Sequence, residues 1–132
     1  MSRLVIGLGF REQATAQSIA EVLAGAVEQA AMPEAATVLA VVEDKAGHPG
    51  LRAAVTASRY PIKIVAVNAM RDADTDVATR SEHVIKQRGV GSVCEATALA
   101  AAGPNARLIV TRMVSADHTA TAAAAVTEDS TS

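Results

Sequence analysis

Two apolar runs near the amino terminus, RLVIGLG (residues 3–9) and ATVLAVVE (36–43), lack the alternation of polar positions that marks a half-exposed strand. Unbroken apolarity over that length predicts strands buried on both faces, the pattern of a parallel sheet covered by helices. Between them, from Thr15 to about Ala31, the residues Ile19, Val22, Leu23, Ala26 and Ala30 recur at spacings of three and four. One face of a helix is therefore apolar, and Met32-Pro33 stops it. A shorter helix is predicted from Leu51 to Ser58, with Leu51 and Val55 inward, and a third strand, IKIVAVN, at 62–68.

Residues 69–78, AMRDADTDVA, are acidic and aperiodic and read as a loop. Helix returns over Arg80 to Gln87 with Val84 inward. Ser92 opens a further helix that runs to Ala102 and stops at Gly103-Pro104-Asn105, and ARLIVTRMV (106–114) follows as a strand. TATAAAAV (119–126) carries two opposed signals, since alanine favours helix while the leading Thr-Ala-Thr-Ala alternation favours strand. The alternation decides for a strand paired with 107–113 across the turn SADH. The last residues, TEDSTS (127–132), have no apolar anchor and are expected to form a disordered tail. Strands alternating with helices predict an α/β fold over residues 1–126, a single three-layer domain with a mostly parallel central sheet and helices on both faces.

Composition narrows the function classes. A chain of 132 residues suffices for one domain, and its core material is Ala, Val, Leu and Ile, with Phe10 and Tyr60 the only aromatic residues. Small side chains permit close approach of helix to sheet. A net charge of -2, a pI near 5.9 and two isolated aromatics argue against nucleic acid as a partner. The apolar stretch at the amino terminus is too short for a signal peptide, and no segment has the length of a membrane helix, so a soluble, cytoplasmic protein is expected. Cys94 is the single cysteine, which excludes an internal disulfide and a thiolate metal cluster. His48, His83 and His118 show no paired spacing, so no metal site is expected and they read as unrelated surface or turn residues. No Ser, His and Asp grouping stands out as a hydrolytic triad.

Three stretches have candidate chemistry. GLGFRE (7–12) has Gly7 and Gly9 between strand and helix, but Glu12 stands where a dinucleotide fingerprint needs its third glycine. What remains is a glycine turn presenting Arg11 beside a helix N-terminus, suited to a carboxylate. VVEDKAGHPGL (41–51) places Lys45 just past a strand end, where ligands gather in open α/β sheets. In GVGSVCEATALAAAG (89–103), Ser92 and Glu95 have the spacing of a helix capping box. Either the box is the whole role of Glu95, or Gly89, Gly91 and Ser92 leave backbone donors open at a helix N-terminus for a ligand anion. Cys94 likewise reads either as a small buried hydrophobe or as a thiol activated by that terminus.

Taken together, GLGFR, EDKAGHPGL, GVGSVCEATALAAAG and the closing TATAAAAV resemble the CobE proteins of cobalamin biosynthesis, which are similar to the carboxy-terminal domain of CbiG. The resemblance covers nearly the whole ordered chain, and its most specific element is the order of GxGxR at the start and GVxSVxEAxAL near residue 90. In the family pattern a cysteine often precedes the arginine, where this chain has Phe10, and an acidic residue often precedes the GL of the lysine loop, where it has Pro49. The resemblance implies a role in building the corrin ring. Larger CbiG proteins open a lactone on a cobalt-precorrin and release a two-carbon fragment, and stand-alone CobE proteins belong to the oxygen-dependent route. The positions that carry over are Gly7, Gly9, Arg11, Lys45, Gly91, Ser92 and Glu95.

Corrin precursors carry many acetate and propionate carboxylates, which arginine, lysine and helix N-termini can hold. The expected function is therefore binding of a precorrin or hydrogenobyrinic-acid-like tetrapyrrole, as carrier or accessory protein, with no cofactor of its own. Other enzymes of cobalamin biosynthesis are expected partners. The alternative from a different class is an enzyme of the same pathway, a C–C hydrolase acting on a precorrin lactone or a helper to a precorrin methyltransferase.

Overall fold

The structure, a computed structural model, describes residues 2–73 and 92–128. Its elements are β1 (Ser2–Phe10), α1 (Ala16–Ala30), β2 (Ala36–Val42), a 3-10 turn (Glu43–Lys45), α2 (Pro49–Ser58), β3 (Ile62–Val65), α3 (Val67–Asp72), α4 (Val93–Ala102), β4 (Arg107–Val114) and β5 (Ala120–Glu128). The strands form one sheet in the order β3-β2-β1-β5-β4. β1, β2 and β3 are parallel, whereas β5 runs antiparallel to both of its neighbours, β1 and β4. The α/β class thus holds with a mixed sheet. Its parallel half comes from strand–helix–strand crossovers, and its antiparallel half from a hairpin too short to reverse direction twice.

Successive residues of β1 point to opposite faces and are buried on both. Leu4, Ile6 and Leu8 join Leu39 and Val41 of β2 against Ile19, Val22, Leu23 and Ala26 of α1 and Leu51 of α2. On the other face Val5, Ala40, Val42 and Val65 meet Met70 of α3 and Ala96 and Ala101 of α4. β5 lies beside β1 along its whole length, from Ser2 opposite Glu128 to Phe10 opposite Ala120. Its alanines are fully buried, with Ala122 and Ala124 toward α1 and Ala125 toward α4. Two helix layers close in on this strand, and alanine is the side chain that fits between them. The conflict between alanine's helix propensity and strand alternation is settled by the two strands that flank it.

Three boundaries differ from expectation. The third strand stops at Val65, and α3 takes up residues read as the strand end and the start of the acidic loop. A helix of 6 residues anchored by the fully buried Met70 is too short to show periodicity. The closing strand extends through Thr127 and Glu128, opposite Arg3 and Ser2, and Ser2 Oγ donates to Glu128 Oε1 at 2.7 Å. The expected helix at 80–87, residues 74–78 of the acidic loop and residues 129–132 of the tail lie outside the described residues. Among the described residues, no helix is long and apolar enough to cross a membrane.

The hairpin turn between β4 and β5 is tied to the start of α1. Asp117 Oδ1 accepts from Ser115 Oγ at 2.6 Å and from Thr119 Oγ1 at 2.7 Å, and Oδ2 accepts from Ser18 Oγ at 2.5 Å. Glu21 Oε2 accepts the Ala116 N–H at 2.9 Å. The hydroxyl bonds from Ser115, Ser18 and Thr119 hold the Asp117 carboxyl well below its ordinary value of 3.8. Its folded form therefore binds fewer protons than the unfolded chain in acid. The contribution is full above the unfolded value and is lost as pH falls toward the folded one. Denaturant unfolding at stepped pH is expected to show stability declining below about pH 4, with a shallower decline in Asp117→Asn. An unchanged slope would remove Asp117 as its source.

Candidate ligand site at the carboxyl ends of the parallel strands

β1 ends under the N-terminus of α4, and its two glycines permit the approach. A Cβ on Gly7 would stand 2.1 Å from the Cys94 carbonyl oxygen and 2.6 Å from the Ala98 nitrogen. A Cβ on Gly9 would meet Thr121 Oγ1 at 2.8 Å, and Thr121 Oγ1 in turn donates to the Gly9 carbonyl at 3.2 Å. Gly7 and Gly9 thus seat α4 on the sheet, with their open sides turned to protein.

Beyond Gly9 the chain turns, and Arg11 N–H donates to the Thr119 carbonyl at 2.8 Å, so the hairpin fixes the backbone from which the Arg11 side chain departs. β2 ends alongside, and the 3-10 turn that follows carries Lys45. Its Nζ lies 5.9 Å from the centre of the Phe10 ring, within cation–π range. The His48 ring sits 4.8 Å from the same ring, tilted by 56°. His48 is also the N-cap of α2, its Nδ1 accepting from Gly50 N–H at 3.1 Å and Leu51 N–H at 3.3 Å. Pro49 occupies the first helical turn, where a missing N–H costs nothing. Arg11 is exposed and Lys45 half-buried, and neither side chain makes a hydrogen bond or ion pair among the described residues. The strand ends therefore present Lys45 over one aromatic ring and Arg11 on the adjoining turn.

The N-terminus of α4 differs from a capping box. Ser92 is the N-cap by backbone geometry, yet its side chain makes no cap bond and lies 3.5 Å from Cys94 Sγ. Glu95 is completely buried, and its Oε2 accepts the Arg112 N–H of β4 at 2.8 Å. The reason is a register slip between Val110 and Met113, which takes the Arg112 N–H out of the ladder with β5. The carboxylate satisfies it there, so Glu95 joins α4 to the edge strand. Cys94 is buried, and desolvation raises its pKa despite bonds from Ser92 and Thr121, which leaves it a poor nucleophile.

Of the residues proposed from sequence, Arg11 and Lys45 lie on two loops that are joined to each other, Ser92 and Glu95 are buried at the start of α4, and Gly7 and Gly9 lie beneath it. Gly91 lies outside the described residues. Phe10 and His48 were not proposed from sequence. Phe10 was legible as the aromatic residue adjoining the strand-end glycines, while the cap made by His48 had as its only local signal Pro49 directly after it. Among the described residues no group of His, Cys, Asp and Glu could hold a metal ion. A depression of about 370 Å³, lined in part by Val27, Met32 and Tyr60, lies at the opposite, amino-terminal edge of the strands. It is open, and its lining includes neither cation.

The family profile described as Cobalamin synthesis G C-terminus matches residues 4–125. The crystal structure of CobE, a protein from the cobalamin (vitamin B12) biosynthetic pathway, aligns with a TM-score of 0.82 at 26% identity, covering 96% of this chain and 92% of that one. The cobalamin biosynthesis protein chiG from Agrobacterium tumefaciens aligns with a TM-score of 0.70 at 33% identity, covering 96% of this chain and 99% of that one. No curated protein sequence matches the chain. A profile match from the first strand to the last, together with structural likeness over nearly the full length, leads to one conclusion: the chain belongs to the Cobalamin synthesis G C-terminus family and is a CobE-like protein of cobalamin biosynthesis.

Proposed function

We propose that this protein binds a corrin-ring precursor at the carboxyl ends of β1 and β2, as a carrier or accessory protein of the pathway. The supporting observation is the presentation of Lys45 over Phe10, with Arg11 on the turn that His48 joins to the Lys45 loop and no internal anion paired to either cation among the described residues. A precorrin or hydrogenobyrinic acid offers carboxylates for the cations and a flat, largely apolar macrocycle for the ring. An enzymatic reading, as a precorrin hydrolase or methyltransferase helper, gains nothing from Cys94, which is buried with a raised pKa.

Titration of hydrogenobyrinic acid with the purified protein, followed by absorbance, tests the proposal. Saturable binding is expected, weakening several-fold between low and high salt because exposed ion pairs are screened. Arg11→Lys keeps the charge but loses the planar two-pronged donor, and is expected to weaken binding about fivefold with stability unchanged. No spectral change with any pathway intermediate would overturn the proposal, and a spectrum that evolves with turnover would establish an enzyme instead.

A further inference from the structure

The β1–α1 turn and the β2–α2 loop, which carry Arg11 and Lys45, are joined through one side chain. His48 Nδ1 accepts from two N–H groups at the start of α2, while Nε2 lies 2.8 Å from the Glu12 carbonyl oxygen, which can only accept. These partners require a neutral imidazole with its proton on Nε2. The ring that makes these bonds also packs against Phe10. Gly50 closes the same seam, since a Cβ there would stand 3.0 Å from the Ala14 carbonyl oxygen and 3.2 Å from the Ala16 nitrogen.

We propose that His48 is a positioning residue: as the Nε2–H tautomer it clamps the Glu12 carbonyl to the start of α2 and so sets the Arg11 turn against the Lys45 loop. Its own ring nitrogens are taken up by protein partners. Its effect on affinity rests on the corrin-binding proposal, while the clamp itself does not. With the clamp present, the two cations and Phe10 hold their relative places before ligand arrives, and the ordering cost of binding is reduced.

Asparagine at position 48 separates the clamp from the cap. It is a favoured N-cap residue and keeps an acceptor for the start of α2, but it is shorter and loses both the Glu12 bond and the Phe10 contact. His48→Asn is therefore expected to restore most of the stability lost in His48→Ala, yet to speed amide exchange of Arg11 to Ala14 at least tenfold. Nitrogen-15 spectra of the wild-type imidazole are expected to show Nδ1 without a proton and Nε2 with one. Affinity for hydrogenobyrinic acid should fall at least threefold in His48→Asn.

A proton on Nδ1, or Arg11–Ala14 exchange as slow in His48→Asn as in wild type, overturns the clamp. If wild type binds no corrin, the binding proposal falls, and the ring spectrum and amide exchange still decide the clamp. If wild type binds and His48→Asn binds equally well, the link between clamp and affinity is refuted.

Discussion

Gly7→Ala is expected to destabilise the protein by about 3 kcal/mol or more, the largest effect of any single methyl group added to β1. The new Cβ would lie 2.1 Å from the Cys94 carbonyl oxygen, 2.6 Å from the Ala98 nitrogen and 2.9 Å from the Ala98 Cβ. Two of these are backbone atoms of α4, so no rotamer change can relieve the clash and the helix must move off the sheet. Its departure would uncover Val5 and draw Glu95 away from β4. Gly9→Ala serves as the comparison, because its closest contact is a side-chain atom, Thr121 Oγ1, which can rotate away. About 1 kcal/mol is expected there, chiefly for the lost bond to the Gly9 carbonyl. Denaturant unfolding of the two variants checks the ordering. If Gly7→Ala lies within about 1 kcal/mol of wild type, α4 does not rest on Gly7 as described.

Glu95→Ala is expected to cost about 3 kcal/mol, because it strands the Arg112 N–H and empties the space of a fully buried side chain at once. Glu95→Gln retains a side-chain carbonyl oxygen and should cost about 1 kcal/mol, the difference between a charged and a neutral acceptor. Affinity for hydrogenobyrinic acid is expected to stay within twofold of wild type in Glu95→Gln, since the carboxylate points into the protein. Amide exchange at Arg112 should accelerate in Glu95→Ala and remain slow in Glu95→Gln. A glutamine variant of normal stability with altered affinity would return Glu95 to the ligand site.

The contrast between Glu95 and Arg11 shows where local reading succeeds. The spacing of Ser92 and Glu95 announced a helix N-terminus, and the helix does begin at Val93. The Arg112 partner of the carboxylate was invisible, because it is a backbone N–H on a strand 17 residues later, released by an irregularity that depends on how β4 pairs with β5. Arg11 and Lys45 were legible because both follow apolar strands directly, and parallel neighbours end at the same edge. The approach of Lys45 to Phe10 and the His48 cap required the two loops to be placed in space. The glycines are an intermediate case. GLG marked a close approach of backbone to something, and only the structure identifies that something as α4.

By itself the sequence determined the α/β class, the burial of β1 and β2 on both faces, the extent of α1 and the strand character of the alanine-rich segment. Each rests on a periodicity or its absence within one segment, and such patterns record how many faces of an element are covered. The tertiary structure decided the insertion of β5 between β1 and β4, the short helix α3 held by Met70, the attachment of Glu95 to the edge strand and the meeting of Phe10, Lys45 and His48. These depend on contacts between residues far apart in the chain, where a pairing is chosen by competition among all possible neighbours and leaves no local signature.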